Sequence, residues 1–92
     1  MKYKFVSTKK FDKDYKNSVI KRGYNVLLLK EVIDILLAGE TLPVKYKDHS
    51  LSGNWAGYRE CHITSDWLLI YYKDEAELIL IATRTGTHSD LF

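Results

Sequence analysis

Tyr3, Phe5 and Ser7 alternate with Lys4 and Val6, a period of two that predicts a short strand with some apolar surface on each face. At Thr8 the period changes. Thr8 is a natural N-cap, and Phe11, Tyr15 and Val19 then recur every fourth residue among lysines, aspartates and Asn17, which predicts an amphipathic helix ending at Gly23. From Asn25 to Ala38, the residues Leu28, Leu29, Val32, Ile33, Ile35 and Leu36 give a second helix a wide apolar face, and Gly39 supplies a left-handed stop. The two helices are expected to pack as a hairpin. Beyond the single proline, Pro43, the period returns towards two. Tyr58 to Ile63, Trp67 to Lys73 and Glu77 to Thr85 read as three strands, joined by Thr64-Ser65-Asp66 and Asp74-Glu75-Ala76, links short enough for hairpins. The last strand carries Leu78, Leu80 and Ala82 on one face and Ile79 and Ile81 on the other, the pattern of a strand covered on both sides and central in a sheet.

These elements give the order βαα-βββ, followed by a short C-terminal segment, TGTHSDLF. The expected fold is a small α+β domain, an antiparallel-rich sheet with two N-terminal helices packed on it. With 92 residues, one domain spanning 1–92 is expected. The loop between Pro43 and Trp55, with its glycine, serines and Asp48, reads as turns rather than regular structure. No apolar stretch approaches the about 20 residues that cross a bilayer. The lysine-bearing N-terminus lacks the apolar run of a secretory signal, so a cytoplasmic protein with no membrane partner is expected. The single Cys61 leaves burial and hydrogen bonding to hold the fold.

Charge divides the chain as sharply as periodicity does. Residues 1–47 hold eleven Lys/Arg against five Asp/Glu, a net +6, and residues 48–92 hold three against seven, a net −4. A basic N-terminal half suits a polyanionic partner. All three histidines lie in the acidic half: His49 in the loop, His62 in a strand and His88 in the tail. Imidazole titrates near ~6.5 when unperturbed, so such a group supplies both a base and an acid at cellular pH. Asp66, on the turn four residues after His62, can orient an imidazole or accept a proton. The histidine spacing matches no paired metal-ligand signature, so no metal and no cofactor are expected. Cys61 adjoins His62 on a strand, which points the two side chains to opposite faces; Cys61 is therefore expected in the core. Trp67 and Phe92 are candidate stacking platforms for unpaired bases, and Arg59 is a candidate phosphate contact. Trp55, Tyr58, Tyr71 and Tyr72 read as core or sheet packing.

The segments LPVKYKDHSLSGNWAGYRECHITSDWLLIYY and TRTGTHSDLF resemble the YafQ branch of the RelE bacterial toxin superfamily, and the element order extends that resemblance over nearly the whole chain. The resemblance implies a RelE-like fold and a ribosome-dependent endoribonuclease that cuts mRNA, held silent by a cognate antitoxin. It also implies functional roles for His49, His62, Asp66, Trp67, His88 and Phe92. Promoter DNA would be met only indirectly, through the antitoxin complex.

The chemistry suits these residues. RNA carries its own nucleophile, the 2′-hydroxyl, and its cleavage needs a base, in-line alignment and an acid for the departing 5′-oxygen. Asp66 or His49 is the expected base and His88 the acid, with His62 and Arg59 steadying the transition-state charge. The acidic half catches free RNA poorly, so the ribosome is expected to present the strand, with Lys9, Lys10, Lys13 and Lys16 meeting ribosomal RNA. Two rivals remain open: a non-catalytic antitoxin-binding module acting as co-repressor, and a metal-dependent hydrolase.

Overall fold

The computed structural model describes residues 1–92. Strand β1 (Lys4–Ser7) leads into helix α1 (Lys9–Asp14), which runs on as a π-helical stretch (Tyr15–Ile20), and helix α2 (Val26–Leu37) follows. Strands β2 (His49–Ser50), β3 (Arg59–Thr64), β4 (Trp67–Asp74) and β5 (Ile79–Gly86) come next, and a four-residue helix α3 (His88–Leu91) ends the chain. The expected elements are all present, with β2, α3 and two short 3₁₀ helices (Val44–Tyr46 and Gly53–Trp55) added. β2 has no periodic signature because only two of its residues pair, His49 with Glu60 and Ser50 with Arg59. α3 is set by a local cap: the Thr87 hydroxyl accepts from the Asp90 N–H at 3.2 Å while the Asp90 carboxylate accepts from the Thr87 N–H at 2.8 Å.

The sheet has the order β1-β5-β4-β3-β2, with β1 parallel to β5 and the other pairs antiparallel. β5 is thus interior, as its sequence predicts. Its two faces differ, however: Leu80 and Ala82 are buried, whereas Ile79 and Ile81 are only half-buried. The reason is that α1 and α2 both lie on one side of the sheet. Their apolar residues Phe11, Val19, Leu29, Val32 and Leu36 join Cys61, Trp67, Leu69, Tyr71 and Leu80 in the main core. The opposite side has a second, smaller cluster in which Leu91 of α3 covers Leu68 and Ile70.

Capping fixes where the helices begin and end. Thr8 accepts from the Phe11 N–H at 3.0 Å and donates to the Thr83 carbonyl at 2.8 Å, so one side chain both starts α1 and ties it to β5. Gly39, at φ +78°, ends α2 with a bond from the Glu40 N–H to the Ile35 carbonyl. In place of a closed hairpin, α1, α2 and β1 leave an apolar groove of about 500 Å³ between them, lined by residues that include Phe5, Phe11, Tyr15, Val26, Leu29 and Ile33.

Candidate active site

Side chains alternate across a sheet, and directly opposed residues share a face. Cys61 opposes Leu69 and Arg59 opposes Tyr71, which places all four towards the helices. His62 opposes Leu68 and Glu60 opposes Ile70, on the face that α1 and α2 leave open. His49 stands across from Glu60 on β2 and joins them there.

The imidazoles of His49 and His62 lie 6.4 Å apart, centre to centre, with a carboxylate between them. Glu60 Oε1 is 3.4 Å from His49 Nε2 and 4.0 Å from His62 Nε2. His49 Nδ1 sits 2.7 Å from the Lys47 carbonyl. A carbonyl oxygen only accepts, so this bond keeps the proton on Nδ1 and turns Nε2 towards Glu60. Lys47 reaches that pose through a left-handed backbone, φ +49°. Glu60 is 6% exposed, and its second oxygen, Oε2, is buried without any hydrogen-bond partner. Stable folds seldom leave such an atom unpaired.

His88 comes to the same face from the other side. Leu68 is flanked in register by His62 and by Gly86, so about 10 Å of sheet separates those two backbones. His88 begins two residues beyond Gly86, at the start of the helix whose Leu91 sits on Leu68 and Ile70. Gly86, at φ +152°, is required here, since a Cβ would come within 2.9 Å of the Asp90 carboxylate. Arg22 holds Asp90 through two bonds of 2.6 and 3.0 Å, anchoring the tail to the α1–α2 connection. The Arg22 guanidinium holds the Asp90 carboxyl far below the usual carboxylate range. Phe92 is 55% exposed, with its ring 4.9 Å from His88 and 6.3 Å from Trp55.

Three expected residues are placed otherwise. Trp67 is no stacking platform: it is 3% exposed, its ring packs 4.9 Å from Tyr24, and its indole N–H donates to Thr85 at 2.9 Å. Position 67 is odd in the β4 alternation, and that parity turns the ring into the main core. Arg59, also of the helix-side parity, is engaged by Asp48 at 3.1 Å rather than facing the imidazoles. Tyr71 donates to the same carboxylate, and burial and then that bond push its phenol well above the ordinary range. Asp66 lies exposed in the β3–β4 turn, beside a hollow shared with Tyr24, Asn25 and Leu28. The carboxylate that meets His49 and His62 is Glu60, not Asp66. Cys61 is fully buried, and burial raises its thiol far out of the nucleophilic range.

Sequence reasoning missed Glu60, although the Glu-x-His spacing of 60 and 62 on one strand puts both side chains on one face. It also missed two lysines that share a hollow with His62. Lys45 and Lys47 border a hollow of about 290 Å³ that His62 also lines. The largest cavity, between the helices, lies on the other side of the sheet from this cluster. The histidine face is an open surface suited to a strand laid across it.

Residues 3–92 match the family of bacterial toxins of type II toxin-antitoxin systems, YafQ. The chain belongs to this family. It is 42% identical over 73 residues to the mRNA interferase toxin YafQ of Escherichia coli K12, an alignment covering 78% of this chain and 77% of that relative. Among solved structures, a metal-bound toxin from Helicobacter pylori superposes with a TM-score of 0.91 at 41% identity, covering 98% of this chain and 99% of that one. A chain of the E. coli DinJ-YafQ complex gives 0.88 at 37%, covering 98% of each. The α+β fold with its five-stranded mixed sheet is therefore that of the YafQ toxins, and no helix is long and apolar enough to cross a membrane.

Proposed function

We propose that this toxin is an mRNA interferase that cleaves messages by directing the RNA's own 2′-hydroxyl at the adjacent phosphate. The observation carrying the reading is the Glu60 carboxylate set between two imidazoles, on the open face where the helix of His88 also packs. His49, exposed and backed by the buried Glu60 carboxylate, takes the proton of the 2′-hydroxyl. The hydroxyl oxygen attacks phosphorus, the bond to the 5′-oxygen breaks, and His88 delivers a proton to that departing oxygen. The products are a 2′,3′-cyclic phosphate and a 5′-hydroxyl end. His62, with Lys45 and Lys47 at its side, offsets the charge that grows on the phosphoryl oxygens, the task expected of Arg59. Asp66, exposed and unbonded, is left to meet hydroxyls or base edges of the substrate. Phe92 offers its open ring to a base.

The basic half fits the partners that this reading needs. Lys10 and Lys13 border a polar hollow with Asn17 and the Arg84–Asp14 ion pair, and these two lysines are the cations it offers to a ribosomal RNA phosphate. The apolar groove between α1, α2 and β1, rimmed by Lys30 and flanked by the edge strand β1, suits a cognate antitoxin segment that is apolar and acidic and folds as it binds. The toxin would act in the cytoplasm, where messages are translated.

The test is induced expression followed by mapping of message 5′ ends, with a translated and an untranslated copy of one RNA assayed side by side. Cleavage of the translated copy, lost in His88→Ala and Glu60→Gln, is expected. Equal cleavage of both copies would remove the ribosome from the mechanism, and full activity of either variant would remove that residue from it.

A further inference from the structure

The open face does not end at the imidazoles. Beyond α3 it carries aromatic rings that the sequence pattern assigns to packing. Tyr72 lies on the Leu68-Ile70 side of β4 by alternation, and Tyr58, at the entrance to β3, is 5.8 Å from it. Trp55 lies 5.3 Å from Tyr58 and 6.3 Å from Phe92, whose ring is 4.9 Å from His88. The rings thus run without a break from Tyr72 to the histidine.

Exposure separates the ends of this strip from the aromatics of β4 that face the helices. Tyr71 and Trp67, on the helix side, are 0% and 3% exposed, whereas Tyr72 and Phe92 are 38% and 55% exposed. Polar atoms separate them too. Tyr3, Trp67 and Tyr71 spend theirs on Glu75, Thr85 and Asp48, while the side chains of Trp55, Tyr58 and Tyr72 make no hydrogen bond. A sheet face with exposed aromatic rings is a general solution for holding unpaired RNA bases, because every base offers a π-face whatever its sequence.

We propose that the strip Trp55-Tyr58-Tyr72, continued by Phe92, is a binding track for the unpaired nucleotides next to the scissile phosphate. It deepens the nuclease reading, on which it rests for the phosphate at its His88 end. Tyr72 and Phe92 are the open stacking surfaces at its two ends, and Trp55 and Tyr58 are the half-buried link that sets their spacing. Stacking of this kind favours single strands over duplexes and tolerates many sequences.

The experiment is an NMR titration of the isotope-labelled protein with a short single-stranded RNA whose 2′-oxygens are methylated, which cannot be cut. The Trp55 indole signal and the amides of Tyr58, Tyr72 and Phe92 should move. The Trp67 indole, bonded to Thr85, should stay and serves as the internal control. Tyr72→Ala should weaken binding about tenfold and Tyr72→Phe should not. Equal RNA affinity in wild type and Tyr72→Ala, or signals that move only elsewhere, overturns the proposal. A Tyr72→Ala variant that loses the cognate antitoxin while keeping RNA overturns it too, and makes the strip a protein interface. Binding of an uncleavable strand is read independently of catalysis, so a failed nuclease assay and a failed track are distinguishable.

Discussion

The two faces of one sheet follow opposite rules. On the helix side, buried polar atoms are paired: the Trp67 indole reaches Thr85, whose hydroxyl reaches the Leu68 carbonyl, and the Tyr71 phenol reaches Asp48. On the open side, Leu91 covers Leu68 and Ile70, His49 is exposed, and Glu60 keeps an oxygen buried without a partner. An unpaired buried acceptor costs stability. On the proposed mechanism, its position beside two imidazoles is where that cost serves chemistry, while the closed face is where stability is made.

The comparison can be broken most directly at His88. His88→Ala should lower message cleavage by about 10²–10⁴, the range for removing a proton-transfer group, with an unchanged melting temperature; a variant that cleaves normally would empty the open face of its acid. Glu60→Gln should cost about 10² in cleavage without lowering the melting temperature. A drop in stability with activity retained would make Glu60 a structural residue. On the closed face the signature reverses. Trp67→Phe removes the indole donor and should destabilise by about 1–3 kcal/mol in a denaturant titration, with cleavage per folded molecule kept.

Smaller effects sharpen the boundary between the faces, because α3 depends on a clamp reaching around the sheet. Arg22→Ala should release Asp90 and lower cleavage by about tenfold, the loss expected when a catalytic group is misplaced rather than removed, with little change in overall stability. The same clamp sets a pH dependence. Asp90 titrates below its unfolded value near ~3.9, so its contribution is fully present above that value and is lost as pH falls towards its folded pKa. The tail should stay ordered from pH 7 down to about 4 and loosen only below, read as line broadening of His88 and Phe92. Loosening near pH 6 would point to another group.

Much of this was legible before any coordinates. Phe11-Tyr15-Val19 marked the helical run that α1 starts and the π-helical stretch completes three residues before Gly23, Gly39 marked the end of α2, and the three C-terminal strands followed from their alternation. The histidines were legible as a group because their residue type is scarce. Glu60, the strip at Trp55, Tyr58 and Tyr72, and the buried state of Trp67 were not, since each depends on which face of β3 or β4 the helices cover. A period of two says that neighbours point to opposite sides. It does not say which side is wet.

By itself the amino-acid order determined the elements, their capping, the split of charge between the halves and the stock of proton-transfer groups, all properties set within a few residues of one another. Only the tertiary structure decided that His49, Glu60 and His62 meet across two strands, that Arg59 is spent on Asp48, and that Trp67 is core while Phe92 is open. Those outcomes depend on strand register and on packing both long helices against one face. Burial and charge contact are properties of neighbours in space, and here the neighbours lie far apart along the chain.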